Sequence, residues 1–479
     1  MTSKKSILII CAILSLAAFT HIWNLTGYPE IFYDEGVYLR RASDVLEGKG
    51  PQEGIYYDHP YFGQFFLSGF FFITGYPNSV NPQPNPDSIE SLFVVPRLIM
   101  GLIAVFDTFL VYKIIQKRYD TKIAIFTSAF FAVMPITWIM RRILLDSIIL
   151  PFLLLAILFA VYSKDNRKFV LASGVCMGLA IFTKIPAFTM IPVVVYLIYS
   201  GTKSKKTVGL WLIPVLLLPL IWPAQSLVTG NFANHWIHDV LWQTQRNRIG
   251  LFEVTESFLA MDPILFVLGL MGIGLFAIKR DRLVLLWFIP YVVFLGMVGF
   301  VQYFHWMMLL PVFSLGLANF VDHVGKKIQK SSLMLTPFLG IAIFGLACTT
   351  LVISTNLTNT QFEATAFTAT LAKENPNVAV FASPTYEWVL HDVLGLQNAK
   401  DYVDILYKKT PQQMIILSDP HFQRDFTRGL QLSQADALTS TITEYVDPKA
   451  LYDLNSYPYS NLNYDHDAGL IQIKATKNN

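Results

Sequence analysis

Charge is what this sequence has least of. Of its 479 residues only 14% are Asp, Glu, Lys or Arg, against about a quarter in an ordinary soluble protein. Apolar residues make up 53% and the mean hydropathy is +0.46. The length would accommodate several soluble domains, but this composition excludes a single soluble core and implies that much of the chain is solvated by lipid. Cysteine is nearly absent: Cys11, Cys176 and Cys348 lie in apolar runs without close spacing, which excludes a disulfide framework and a zinc ribbon. The net charge is only +3, and no basic cluster is interleaved with aromatics as a nucleic-acid groove requires. No glycine-rich phosphate loop is present, so a cytosolic nucleotide is not an expected ligand.

What is present is a series of long apolar runs. Candidate spans fall at 6–24, 93–115, 123–140, 143–162, 168–184, 186–200, 207–222, 263–279, 283–301, 305–322 and 332–353, about eleven in all. The first is read as a span rather than a signal peptide, because no small-residue cleavage site follows it. Basic clusters at Lys4/Lys5, Lys113/Lys117/Arg118/Lys122, Lys164/Arg167/Lys168, Lys203/Lys205/Lys206, Lys279/Arg280/Arg282 and Lys326/Lys327/Lys330 occupy every second junction. Those junctions are expected in the cytoplasm, with the N-terminus. Two long loops, 25–92 and 223–262, are then external, as is everything after the last span. The apolar run 61–76 would invert the later topology if it crossed, so it is expected to lie in the outer leaflet.

Residues 1–355 thus form a membrane module, and 356–479 a second domain of different composition. The latter holds 14 acidic and 9 basic residues, a net of −5 that leaves +8 on the remainder. Its β-prone runs at 378–381, 414–417 and 470–473, with a helical stretch at 422–432, predict a small soluble α/β unit. The fold class is therefore mostly α, a polytopic membrane helix bundle with a small C-terminal α/β domain.

A few charges remain that topology does not need. Asp34 and Glu35 follow the first span, Arg97 opens the second, Arg141 and Arg142 precede Asp146 at the fourth, and Lys184 ends the fifth. All are predicted at one depth on the external face. Acids alone suit a cation, and bases alone suit lipid headgroups. Together they suit a transfer in which a carboxylate deprotonates an acceptor hydroxyl while bases neutralise a departing phosphate. A lipid-linked donor would explain both the many spans and the missing nucleotide motif.

At these residues the chain resembles the GT-C glycosyltransferases of the dolichyl-phosphate-mannose protein mannosyltransferase type and their bacterial aminoarabinose-transferase relatives. Asp34-Glu35 matches that family's acidic pair, and the stretch from His59-Pro60 to Gly63-Gln64 its His-Pro-Pro-Leu-Gly-Lys, with Tyr61 and Gln64 replacing a Pro and the Lys. Arg97 matches an arginine at the second span, Arg142 to Asp146 the second acidic motif, and Gly178 to Lys184 a Gly-Leu-x-x-x-Thr-Lys stretch. The likeness is good over roughly the first 230 residues, while the large luminal insert of fungal and animal members has no counterpart here.

The resemblance implies an inverting transfer of a sugar, mannose above all, from a polyprenyl-phosphate donor to a hydroxyl on protein, lipid or glycan. The setting would be the plasma membrane or endoplasmic reticulum, with the site outside the cytoplasm. Asp34 would be the base, Glu35 and Asp146 would orient it or the sugar, and Lys184, Arg97, Arg141 and Arg142 would bind donor phosphate. Tyr38, His59, His235 and His305 are candidates for contact with substrate. A divalent ion bridging Asp34 and Asp146 is compatible with this pattern, but relatives differ in metal use and none is assigned. Plainer readings stay open: Asp34 and Glu35 also suit a helix first turn, Asp146 an acid paired with Arg142, Arg97 and Lys184 a snorkelling role. His235, His238 and Asp239 have ligand-like spacing, yet in an aromatic loop they suit acceptor contacts or packing better than a metal. Arg246 and Arg248 suit a phosphate contact, but a solvated face suits them better. A transporter or flippase of a lipid-linked sugar or anion is the alternative function. It would place charges at mid-membrane in paired half-helices, which the sequence does not show.

Overall fold

The computed structural model describes residues 4–52, 56–164, 166–246, 250–327, 335–402, 413–419, 437–448 and 470–477. Each expected apolar run is occupied by a helix. These are α1 (Lys4–Ile22), α4 (Pro86–Arg118), α5 (Thr121–Val133), α6 (Leu145–Tyr162), α7 (Lys168–Thr183), α8 (Ile191–Thr202), α9 (Lys205–Val228), α12 (Pro263–Ile278), α13 (Arg282–Met297), α14 (Leu310–Lys327) and α15 (Thr336–Ile353). Among the described residues, seven helical segments are long and apolar enough to cross a membrane, or nine if two bent pairs each count as one. Two of the eleven, α7 and α13, have 16 residues each, about 24 Å of helix, against a hydrocarbon core of about 30 Å.

The scarce acids and serines at the junctions begin many of these helices. The side chains of Asn85, Asp120, Ser204, Asp262 and Asp281 accept from the first-turn amides of α4, α5, α9, α12 and α13. Prolines set the bends. The chain turns by 69° between α5 and a 3₁₀ turn at Pro135–Arg141, and by 113° between α11 (Leu251–Met261) and α12 at Pro263, because proline offers no amide to continue the preceding helix. The expected span 123–140 is therefore a broken one. At the contact of α12 with α14, a Cβ on Gly272 would lie 1.7 Å from the Gly316 carbonyl oxygen. Only glycine allows so close a crossing.

The two long loops are largely helical. In the first, α2 (Tyr33–Leu46) carries the acidic pair, and α3 (Phe62–Thr74) occupies the apolar run 61–76. With 13 residues, α3 measures about 20 Å, short of a bilayer crossing. Phe62 and Phe66 pack edge-on against Phe152, while Phe72 and Ile73 are exposed. In the second loop, a π-helical turn at Phe232–Trp236 leads into α10 (Ile237–Gln245). The two loops hold each other: Asp239 accepts the Tyr57 amide at 2.7 Å, and the Tyr57 hydroxyl meets Thr229 and Asn231 at 3.2 Å.

After α15 the chain forms α16 (Asn359–Glu374) and a five-stranded sheet of order β2-β1-β3-β5-β4. Strands β1 (Ala379–Ala382), β2 (Ala399–Asp401) and β3 (Met414–Ser418) are parallel, and β4 (Thr439–Val446) and β5 (Leu470–Thr476) are antiparallel. The three predicted β runs are β1, β3 and β5. The stretch 422–432 lies outside the described residues. A one-turn helix, α17 (Pro384–Glu387), follows β1 and packs on α2, while α16 packs on α4.

Candidate active site

The first turn of α2 separates its two acids. Phe32 enters the helix in an extended conformation without a side-chain cap, and Asp34 and Glu35 follow in the turn where the helix dipole favours anions. Glu35 points inward and is fully buried. Arg97 Nη2 lies 3.0 and 3.4 Å from its two oxygens, the Ile143 amide donates to it at 3.3 Å, and Arg142 Nη1 is 3.9 Å away. Arg97 also donates to the carbonyls of Leu25, Pro29 and Glu30. Arg142 donates to the Glu30 carbonyl at 2.8 Å, pairs with the Glu30 carboxylate, and lies over the rings of Phe32 and Trp138. Arg141 is buried as well and donates to the Trp23 carbonyl. The three guanidinium groups thus hold the segment leading from α1 to α2.

Breaking such a buried pair strands a charge. Glu35→Gln is expected to lower stability by about 3–5 kcal/mol, read as a drop in Tm of the detergent-solubilised protein. An unchanged Tm would show that Glu30 alone balances Arg97 and Arg142.

Asp34 points the other way. It is half-buried, and among the described residues its carboxylate has no ion pair and no side-chain hydrogen bond. Burial pushes its pKa up to about 6; Lys184 and Arg246 pull it down, and Asp58 and Asp146 add to the rise. A carboxylate poised near neutral pH with a free face is what a general base requires.

Asp146, in the first turn of α6, and Lys184, immediately after α7, form a buried pair with 2.7 Å between Oδ2 and Nζ. Lys184 Nζ lies 3.3 Å from His305 Nε2. His305 sits in the 3₁₀ turn Tyr303–Leu309, and its Nδ1 accepts the Gln302 amide at 2.9 Å. That bond assigns the neutral tautomer, with the proton on Nε2. Lys184 and His305 therefore present N–H groups to each other, an arrangement that an anion accepting from both would relieve.

Helical spacing brings Tyr38 and Arg41 onto the face of Asp34. Arg41 pairs with Asp58 at 2.8 Å. The buried Tyr38 phenol is raised well above its ordinary pKa by burial and then by Asp34, Asp58 and Asp146. His59 is lowered to about 3 by burial and by Lys184, Arg41 and Arg246, against the pull of Asp58, so its imidazole is neutral at physiological pH. Arg246 is drawn in from the second loop, stacked 4.7 Å from the Trp242 ring and 3.7 Å from that of Phe300. Its influence on Asp34 and His59 replaces the expectation of a solvated face. Arg248 lies outside the described residues.

The structure thus brings Asp34, Tyr38, His59, Asp146, Lys184 and His305 within electrostatic reach of one another and turns Glu35, Arg97, Arg141 and Arg142 into the protein. Among the described residues no side-chain hydrogen bond or ion pair links His235 to the gathered residues, and its neighbours His238 and Asp239 pair with each other while Asp239 holds the first loop. Asp58, Arg41 and Arg246 were not expected here. The seven-residue step from Asp34 to Arg41 is the one signal that could have found a member of this set. For the divalent ion, no group of three or more His, Cys, Asp or Glu side chains among the described residues could hold one, and Asp146 is already balanced by Lys184. The donor set does not fit a metal, and no step is routed through one.

Residues 87–226, less than a third of the chain, match the family model of dolichyl-phosphate-mannose-protein mannosyltransferases. The fold as a whole is similar to that of ArnT from Cupriavidus metallidurans bound to undecaprenyl phosphate. The TM-score is 0.57 at 13% identity, over 99% of this chain and 98% of that one. It is also similar to the oligosaccharyltransferase AglB from Archaeoglobus fulgidus, in complex with an inhibitory peptide and a dolichol-phosphate. There the TM-score is 0.54 at 12% identity, over 83% of this chain and 64% of that one. No curated protein matches by sequence. The fold is thus shared with ArnT and AglB, and within it residues 87–226 carry the family match.

Proposed function

We propose that the protein transfers a sugar, mannose being the one its family match favours, from a polyprenyl-phosphate donor to an acceptor hydroxyl on the external side of the membrane. The observation that carries this reading is the division of labour within one helical turn. Glu35 is locked into the protein, and Asp34, next to it, is half-buried, has no side-chain partner among the described residues and is tuned to about 6.

In the reaction the acceptor hydroxyl gives its proton to an Asp34 carboxylate oxygen. Its oxygen forms a bond to the anomeric carbon, and the bond from that carbon to the phosphate oxygen breaks with inversion. The charge that develops on the leaving polyprenyl phosphate falls to Lys184 and His305, whose N–H groups converge, with Arg246 beside them. Asp146 keeps Lys184 charged and oriented. Tyr38 and His59, neutral at working pH, contact sugar or acceptor. Arg97, Arg141 and Arg142, expected at the phosphate, instead position the loop that carries Asp34. The basic junctions put the N-terminus in the cytoplasm and the site and sheet domain outside.

The test uses full-length protein in liposomes, labelled polyprenyl-phosphate mannose, and a hydroxyl-bearing peptide or lipid. Release of polyprenyl phosphate only when acceptor is present is the expected result. Passage of intact sugar-lipid across the vesicle without cleavage would replace the enzyme by a flippase.

A further inference from the structure

Among the described residues the Asp34 side chain makes no hydrogen bond or ion pair, so its position depends on the backbone of the first turn of α2. One side of that turn is fixed by Glu35 in the membrane module. The other side is fixed by the sheet domain, more than 300 residues away in sequence. Thr385 Oγ1, in α17, donates to the carbonyl of Phe32 at 2.7 Å and lies 3.2 Å from that of Tyr33, the residue before Asp34. Gly36, two residues after Asp34, lies so close that a Cβ there would stand 2.3 Å from Thr385 Cα. Just upstream, Gln361 of α16 receives the Ile31 amide at 2.8 Å and donates to the Ile31 carbonyl at 3.1 Å, replacing a strand partner with one side chain. Gln361 also donates to the Tyr386 hydroxyl, which donates to Asp419 beyond β3. Further along α2, Arg40 pairs with Glu387 and, at 2.9 Å, with Asp392.

Residues 31–36 of α2 and its lead-in are thus bracketed by the sheet domain, and Asp34 lies among them. From this geometry we infer that the C-terminal domain sets the catalytic position of Asp34, and that Thr385 is the positioning residue through which it does so. The inference rests on Asp34 as the base of the proposed transfer. Thr385 is fully buried and ties down the two carbonyls on which the turn pivots. A misplacement of a reacting group by about 1 Å can cost on the order of a hundredfold in rate, so one hydroxyl can matter to turnover while contributing little to the fold.

The experiment compares Thr385→Val, which keeps the shape and removes the hydroxyl, with Thr385→Ser, which keeps the hydroxyl. Full-length protein in liposomes is assayed with labelled polyprenyl-phosphate mannose and the same hydroxyl-bearing peptide or lipid. Thr385→Val is expected to lower kcat about tenfold or more with donor KM near wild type, and Thr385→Ser to restore it. The acid limb of the pH–rate profile moves to lower pH in Thr385→Val, because a loosened turn admits water to Asp34. Exchange of the α2 first-turn amides with deuterium rises in the same variant. Wild-type kcat in Thr385→Val, or equal losses in both variants, overturns the inference. Should Thr385→Val fail to fold, Arg40→Gln replaces it, with a smaller loss of kcat expected and unchanged kcat overturning. Asp34→Asn run alongside separates the two claims. If it stays active the base assignment falls, and if it is inactive while Thr385→Val is normal the positioning claim falls alone.

Discussion

Asp34→Asn is expected to abolish transfer, with turnover falling by about 10²–10⁴, while donor binding and folding persist. Asparagine has nearly the same shape and cannot take the acceptor proton. The carboxylate it replaces has no hydrogen bond or ion pair among the described residues, so nothing in the fold is broken. The pH dependence follows from the same group. Only ionised Asp34 acts as a base, so kcat/KM should rise with pH through about 6 and level off above it.

Stability runs in the opposite sense. The folded-state pKa of Asp34 is raised from an ordinary 3.8 to about 6, so the folded protein holds this proton more tightly than the unfolded chain. That contribution is fully present below about 3.8 and is lost as pH rises through about 6. At neutral pH the ionised, active form is therefore the less stable one. Asp34→Asn should melt at a higher temperature than wild type at pH 7.5 and show a flatter Tm-against-pH curve, measured by scanning fluorimetry in detergent. An inactive variant with a lowered Tm would mean that Asp34 is structural. Near-normal turnover would remove it as the base.

Lys184→Met carries the second large effect, and it acts on two quantities at once. Loss of the ammonium removes a donor from the developing phosphate charge, a change expected to cost about 10²–10³ in turnover. It also leaves Asp146 buried without its partner, which costs about 3–5 kcal/mol of stability. The second effect can be removed without touching the first. In the double variant Lys184→Met/Asp146→Leu the buried charge is gone, and replacing such a pair by apolar groups is commonly neutral or stabilising. Tm should therefore recover in the double variant while turnover stays low. Recovery of both would make Lys184 no more than the counter-ion of Asp146. Recovery of neither would place the loss in packing around Phe304, over whose ring Lys184 lies at 5.2 Å.

The bundle was legible because each of its helices is a local statement. An apolar run bounded by a basic cluster and a capping acid reads as a span wherever its neighbours lie, and all eleven runs are helices. The breaks were less legible. Pro135 and Pro263 mark them, yet a window average over 123–140 remains apolar through the bend. Within the site, motif position alone could not distinguish Asp34 from Glu35, since adjacent residues on a helix point about 100° apart and only packing says which way is inward. The arginines illustrate the same gap. Arg141 and Arg142 share a motif with Asp146, but their partners are the Trp23 carbonyl and Glu30, over 110 residues earlier. Arg246 could not be told from any loop arginine until Trp242 and Phe300 were seen to hold it against the cluster.

By itself, then, the sequence determined the solvent of this protein, the number and place of its apolar helices, its compositional division near residue 355, and the short set of charges that topology leaves over. Those properties follow from composition and periodicity, which are local. The tertiary structure decided which of those charges are spent inside, as Glu35, Arg97 and Arg142 are, and which are left for the proposed transfer. It also brought the sheet domain back onto the helix that carries Asp34. Burial, and the partner each buried charge finds, depend on residues far apart along the chain that become neighbours only when the helices close.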